Sequence, residues 1–212
     1  MALPQRGCYA KPIHWDGTKG FMNTEILHSL LKECGQKYIG HSADDERIFD
    51  MGDFAAPDDL MEWLDTITQY EFEDTFEFLP GWDISPFERS KEVYKIVKDM
   101  NTPGSEYQEL LKRMFGNEND YLEKYWNNFL LLADYSDGGC GIGSEDSAFG
   151  SLIIVHEIHA PWQVGFQSMD KLVETARVCR KSGVWKNDGE VDWNLYYQIG
   201  QRLNPECEHW FP

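Results

Sequence analysis

Two histidines and a glutamate are the first residues here whose types and spacing could do chemistry together: His156-Glu157-Ile158-His159. A zincin-type protease places two histidines four positions apart on a helix, with a glutamate beside the first. Here the histidines are three positions apart, and the preceding residues 152–155 read Leu-Ile-Ile-Val, which is typical of a strand. Side chains alternate along a strand, so His156 and His159 should point to opposite faces. The segment therefore predicts neither a metal site nor a cofactor.

A glycine-rich segment at 137–143 (Asp-Gly-Gly-Cys-Gly-Ile-Gly) could be mistaken for a phosphate cradle. It lacks the Lys-Ser/Thr pair of a P-loop, and Ser144, Glu145 and Asp146 follow it where a Rossmann motif would open a helix. A tight hairpin turn fits the segment better. Cys140 sits among acids that raise a thiol pKa, so it is a poor nucleophile. We therefore predict that the chain is not an enzyme.

Acidic clusters occur at 44–46 (Asp-Asp-Glu) and at 71–74 (Glu-Phe-Glu-Asp). Carboxylates of this kind can bind Ca²⁺, but neither cluster has the twelve-residue spacing of an EF-hand. Solvated or partner-facing acids are the better interpretation.

The charge balance restricts the partners. The chain has 212 residues, with 37 Asp plus Glu against 19 Lys plus Arg and a net charge of −18. Such a field repels a phosphate backbone, so direct binding of nucleic acid is disfavoured. It suits a cationic partner, whose docking it would speed. The alternative is that the charge only keeps the protein in solution.

The cysteines and the apolar pattern indicate the compartment. Five cysteines are widely spaced without a CxxC pair, as expected of free thiols in a reducing compartment. The N-terminus lacks the apolar core of a signal peptide. The sequence also contains no run of about 18 apolar residues, which a membrane-spanning helix would need. We expect a cytoplasmic protein without membrane contact.

Hydrophobic periodicity predicts the elements that must position these groups. Apolar residues three and four apart predict helices near 26–34, 57–67, 85–100, 107–114, 169–181 and 192–203. Strand patterns cover about 129–135, 149–158 and 162–167, joined by short turn-rich loops that favour antiparallel pairing. The order predicts an α+β fold, with an antiparallel sheet in the second half flanked by helices.

Several segments in order resemble motifs of the SMI1/KNR4 family, also called the SUKH superfamily. The segment 128–141 resembles the family's central strand and its glycine-rich turn, and 150–157 resembles the following strand, which ends in a His-Glu pair. The segments 166–173 and 57–67 resemble the family's later and early helices. The resemblance spans roughly 55–180. It implies an SMI1/KNR4-like domain at 46–184, with an N-terminal extension at 1–45 carrying one helix and a C-terminal helix at 185–212 packed on the domain.

The resemblance also implies a function. Many bacterial members are immunity proteins that neutralise polymorphic toxins, often nucleases, and a fungal branch acts as an interaction scaffold in regulation. We therefore expect a non-enzymatic cytoplasmic immunity protein whose partner is a basic protein toxin. The alternative is an intracellular protein-interaction scaffold of the regulatory type.

The loop at 134–149 is the predicted contact with such a partner. Carboxylates there would complement a cationic nuclease site, and aromatic side chains would supply affinity. Loops between strands are also the segments most free to vary. The alternative is a merely solvated hairpin. The predicted partner-binding residues are Asp134, Tyr135, Asp137, Glu145, Asp146 and Phe149.

Overall fold

A computed structural model describes residues 22–40, 57–72, 76–85, 87–100, 106, 129–135, 138–143, 152–157, 163–186 and 189–211. Its helices are α1 (Thr24–Glu33), α2 (Asp58–Ile67), α3 (Phe87–Met100), α4 (Met169–Lys181) and α5 (Trp193–Leu203), followed by a short 3₁₀ helix at Glu208–Trp210. Its strands are β1 (Lys37–Tyr38), β2 (Tyr70–Glu71), β3 (Glu77–Leu79), β4 (Trp82–Ile84), β5 (Phe129–Tyr135), β6 (Gly138–Gly143), β7 (Leu152–Glu157) and β8 (Gln163–Phe166).

Local capping signals set the ends of the helices. The side chains of Asn23, Ser168 and Asp192 each accept a hydrogen bond from a backbone N–H in the first turn of α1, α4 and α5. Gly35 and Gly183 follow α1 and α4 with positive φ angles of 78° and 74°. These helices, α2 and α3 confirm the predicted ones, whereas the helix predicted at 107–114 lies outside the described residues.

A six-stranded sheet forms the centre of the fold. Strands β3 to β8 pair in sequence order, and every neighbouring pair is antiparallel. This meander flanked by helices confirms the predicted α+β class. The sheet also extends into the first half of the chain, because the β3–β4 hairpin pairs with β5 through Ile84 and Ala133.

The tight hairpin turn predicted at 137–143 was wrong for most of this segment, since residues Gly138–Gly143 form strand β6. Gly141 pairs with Leu131 of β5 on one side and with Ile154 of β7 on the other. Glycine is a weak strand former on its own. Backbone hydrogen bonds to two aliphatic neighbouring strands supply the stability that its missing side chain cannot.

The core lies between the sheet and the helices. Helix α4 is its centre, because Met169, Leu172, Val173, Ala176 and Cys179 are all buried. Helix α1 packs on α2 and on α4. The C-terminal part of the chain also contacts both edge strands. The Trp210 indole N–H donates to the Gly165 carbonyl oxygen of β8 at 2.6 Å, and Arg180 donates to the Glu77 carbonyl oxygen of β3.

Candidate functional site

An open groove of about 490 Å³ lies between α1 and β1, and we call it the α1 groove. Residues three and four apart share one face of a helix, so Glu25, His28, Ser29 and Lys32 form one stripe along α1. Tyr38 on β1 completes the lining. The buried residues Leu27, Leu30 and Leu31 anchor α1 to the core, which leaves this stripe facing outward.

Pairing between distant parts of the chain positions Tyr38. Strand β1 pairs with β2 in antiparallel register, so that Tyr38 is opposite Tyr70. The Ile39 N–H donates to the Gln69 carbonyl oxygen at 2.8 Å. Tyr38 and Ile39 are 52% and 53% exposed. The groove therefore has an aromatic rim at Tyr38, whose strand is held by backbone hydrogen bonds.

Tyr38 of this rim forms a cluster of three contacting rings with His28 and Tyr70. The Tyr38 and Tyr70 centroids are 5.3 Å apart, and those of His28 and Tyr70 are 5.6 Å apart. The Tyr70 hydroxyl lies 2.8 Å from His28 Nδ1, and the Tyr38 hydroxyl donates to Gln69 Oε1 at 3.3 Å. Ring contacts and hydrogen bonds at the tyrosine hydroxyls fix these side chains, so they form a preformed surface.

The electrostatics keep the His28 ring neutral. Burial lowers the pKa of His28, the nearby Lys32 ammonium lowers it further, and Asp65 opposes the shift. A histidine whose pKa lies below its ordinary value of about 6.5 is uncharged at pH 7. The groove therefore gains no positive charge from His28.

The described lining of the α1 groove is suited to binding and lacks an activated nucleophile. The Ser29 hydroxyl donates to Glu33 Oε1 at 3.1 Å, so its proton is not directed at His28. The Lys32 ammonium lies 5.5 Å from the centroid of the Tyr38 ring, within the range of a cation–π contact. Glu25 extends an exposed carboxylate from the first turn of α1.

Most of the predicted partner-binding residues lie outside the described part of the chain. Asp134 and Tyr135 are at the end of β5, where they pair with Gly139 and Gly138. The other four, Asp137, Glu145, Asp146 and Phe149, are not among the described residues. The predicted contact therefore stays a prediction.

Glu71 and Glu77, at the two ends of the acidic stretch 71–77, form contacts with other residues of the same chain. Glu71 forms an exposed ion pair with Lys37 at 2.6 Å, and this hydrogen bond lowers the pKa of Glu71. The Glu77 carboxylate accepts from the Gly81 N–H at 3.0 Å and from the Trp185 indole N–H. The described ends of this stretch therefore serve the fold, and Glu77 holds the β3–β4 hairpin to the loop after α4.

The histidines considered as metal ligands and the described cysteines bear on the sequence predictions of no metal site and no nucleophilic thiol. His156 lies on β7 opposite Gly139, and His159 is outside the described residues. Within the part of the chain that the structure describes, no group of three or more His, Cys, Asp or Glu could hold a metal ion. Cys34, Cys179 and Cys207 are free thiols, and burial raises the pKa of Cys179 to about 12, which makes it unreactive.

The sequence interpretation missed the α1 groove. The signal was present as the polar stripe at 25, 28, 29 and 32, which lies beside the apolar stripe used to predict α1.

None of the described helices is long and apolar enough to cross a membrane. Comparison of the chain with known protein families, with curated proteins and with solved structures finds no match. The resemblance to the SMI1/KNR4 family therefore rests on the sequence motifs alone.

Proposed function

We propose that this chain is a non-enzymatic cytoplasmic immunity protein that binds and neutralises a basic polymorphic toxin, such as a nuclease. The observation that carries the proposal is the α1 groove, which a carboxylate and the exposed Tyr38 ring line together on a protein of net charge −18. The ordered motifs that resemble the SMI1/KNR4 family give further support.

Charge and aromatic groups have different tasks in such an interface. The negative field attracts a cationic partner over long distances and raises the association rate. Aromatic anchors such as Tyr38 supply much of the affinity once water is excluded. The α1 groove is also open, whereas a site for a small molecule encloses most of its ligand. It therefore suits a side chain on the surface of another protein.

The scaffold supports binding without a large rearrangement. Helix α1 packs on α2 and α4, and its buried leucines are wholly inaccessible to solvent. A preformed surface loses little conformational freedom when a partner docks, which favours tight binding. Neutralisation then requires only that the bound protein cover the toxin's active site.

The test uses the product of the gene that directly precedes this one. Both proteins are co-expressed and separated by size-exclusion chromatography, and the activity of the toxin is measured with and without this chain. We expect a stable complex and loss of toxin activity at one equivalent of this chain. An unrelated protein of equal size and charge serves as the control. Separate elution and full toxin activity would refute the proposal.

A further inference from the structure

We propose that the α1 groove binds an arginine side chain of the partner, with the guanidinium placed between the Glu25 carboxylate and the Tyr38 ring. The identity of the partner rests on the proposed function. The chemistry of the site follows from the residues of α1 and β1.

The Tyr38 ring is a suitable cation acceptor. Its side chain is half exposed, and its ring already carries the Lys32 ammonium at 5.5 Å from the centroid. Lys32 is exposed and forms no ion pair with any described residue. An incoming cation can therefore displace it into water, where a lysine is well solvated.

Glu25 supplies the opposite charge at the other end of the stripe. It lies on the first turn of α1, and among the described residues its carboxylate has neither an ion pair nor a hydrogen bond. It is seven positions from Lys32, a distance of about 10 Å along the helix axis. Glu25 thus remains available for a ligand without first giving up a bond within the protein.

His28 lies between these two groups as a neutral ring. Because its pKa is lowered by burial and by Lys32, it does not repel a cation at pH 7. Its ring contacts Tyr38 edge-on at 6.2 Å between centroids, which supports the wall of the groove. The wall is therefore aromatic and uncharged between one carboxylate and one displaceable ammonium.

Arginine fits these groups better than lysine. A guanidinium is planar, so it stacks on an aromatic ring while its N–H groups donate in pairs to a carboxylate. An ammonium is a compact, strongly hydrated charge and gains less from the ring. An anion is disfavoured by Glu25 and by the overall charge of −18.

The experiment titrates the full chain with fluorescein-labelled decapeptides in which glycine alternates with arginine, lysine or glutamate, and measures anisotropy. We expect the arginine peptide to bind several-fold more tightly than the lysine peptide, and the glutamate peptide not to bind. The Tyr38→Ala variant should weaken arginine binding about tenfold, while Tyr38→Phe keeps the ring and most of the affinity. Circular dichroism of each variant confirms that it is folded.

Matched charge variants separate the site from the general field. Glu25→Gln should weaken binding about fivefold, whereas Glu92→Gln, at a glutamate whose side chain is 70% exposed on α3, should change it less than about twofold. Lys32→Ala should tighten binding by vacating the Tyr38 ring. Its control is Lys91→Ala, since the Lys91 ammonium lies 5.2 Å from the Phe87 ring centroid elsewhere on the surface.

Two outcomes would overturn the inference. Equal effects of the groove variants and their controls would mean that the peptide senses only net charge, and equal binding of arginine and lysine peptides would refute a guanidinium site. Neither outcome would contradict the proposed function, because complex formation with the toxin and loss of its activity test that function separately. A toxin complex that Tyr38→Ala and Glu25→Gln leave unchanged would likewise refute the groove contact and retain the immunity role.

Discussion

Gly200 on α5 lies directly against the indole of Trp210. A Cβ atom at this position would be 1.9 Å from Trp210 Cε3, far inside any real contact distance. Trp210 is fully buried and packs edge-to-face on Phe166 and Tyr196 at 5.4 and 5.2 Å. The missing side chain therefore lets the C-terminal 3₁₀ helix close over β8.

We expect Gly200→Ala to destabilise the protein. In an ordinary helix this change gains about 1 kcal/mol, but overpacking against a buried indole costs about 1–3 kcal/mol, so the net effect is a loss of up to about 2 kcal/mol. Urea unfolding measures it. The control is Gln198→Ala at an exposed position of the same helix, which should be neutral or slightly stabilising. A rise in the unfolding midpoint for Gly200→Ala would mean that Trp210 is not seated as described.

His209 next to this indole makes stability depend on pH. Burial lowers its pKa to about 4, from about 6.5 in the unfolded chain. Between these values the unfolded state binds more protons, so the free energy of unfolding rises with pH in this window. It should be level above pH 7 with respect to this group and be about 2 kcal/mol lower at pH 5. His209→Gln should remove that part of the slope in urea titrations at pH 5 and pH 8, and an unchanged slope would contradict the assignment.

At the scale of elements, Arg180 joins α4 to the β3–β4 hairpin and to the loop after α4. Its guanidinium lies 4.0 Å from the Trp185 ring centroid and 5.7 Å from that of Phe76, and it donates to the Glu77 carbonyl oxygen. Glu77 in turn accepts from the Trp185 indole. One planar cation thus connects the C-terminal end of α4 and the following loop to strand β3, about 100 residues earlier in the chain.

Arg180→Lys should therefore cost stability even though the charge is kept. An ammonium neither stacks on Trp185 as a plane nor donates in the same geometry, and we expect a loss of about 1–2 kcal/mol. The matched control is Arg177→Lys on the same helix, which should stay within about 0.5 kcal/mol. Chemical denaturation followed by tryptophan fluorescence compares the two, and equal stabilities would show that the ring contacts contribute nothing.

The elements differ in how far the sequence predicted them. Helices α1, α2, α4 and α5 were predicted almost to their ends, because apolar spacing and capping side chains are local signals. Strands β1 and β2 have only two residues each, too few for any alternation to be seen. Strand β6 has four glycines in six residues and was predicted as a turn, because its strand character comes from its neighbours.

For the whole molecule, the charge of −18 determines how a basic partner approaches. Carboxylates near the contact raise the association rate most, and salt screens them over about 10 Å at 0.1 M. Acids far from the contact contribute only to the general field. The predicted loop at 134–149 can therefore be distinguished from the rest of the acidic surface by kinetics.

Replacing Asp137, Glu145 and Asp146 together by Ala should slow association with the proposed toxin partner at low salt. We expect a decrease of about tenfold that shrinks as salt is added, measured by stopped-flow or surface plasmon resonance. The control removes three charges from Glu88, Glu92 and Glu106 instead. If both triple variants associate at the same rate, the loop is not in the interface, and the α1 groove becomes the first surface to test.

The sequence by itself determined the α+β class, most of the helices and the strongly acidic charge, because composition and short-range periodicity carry these properties. Only the tertiary structure decided that residues Gly138–Gly143 are a strand and that Tyr38 meets His28 and Tyr70. The strand depends on pairing with β5 and β7, and the ring cluster depends on pairing between segments more than 30 residues apart, such as Lys37 with Glu71. No local pattern records that pairing, since its free energy comes from backbone hydrogen bonds and ring contacts that exist only once the chain has folded.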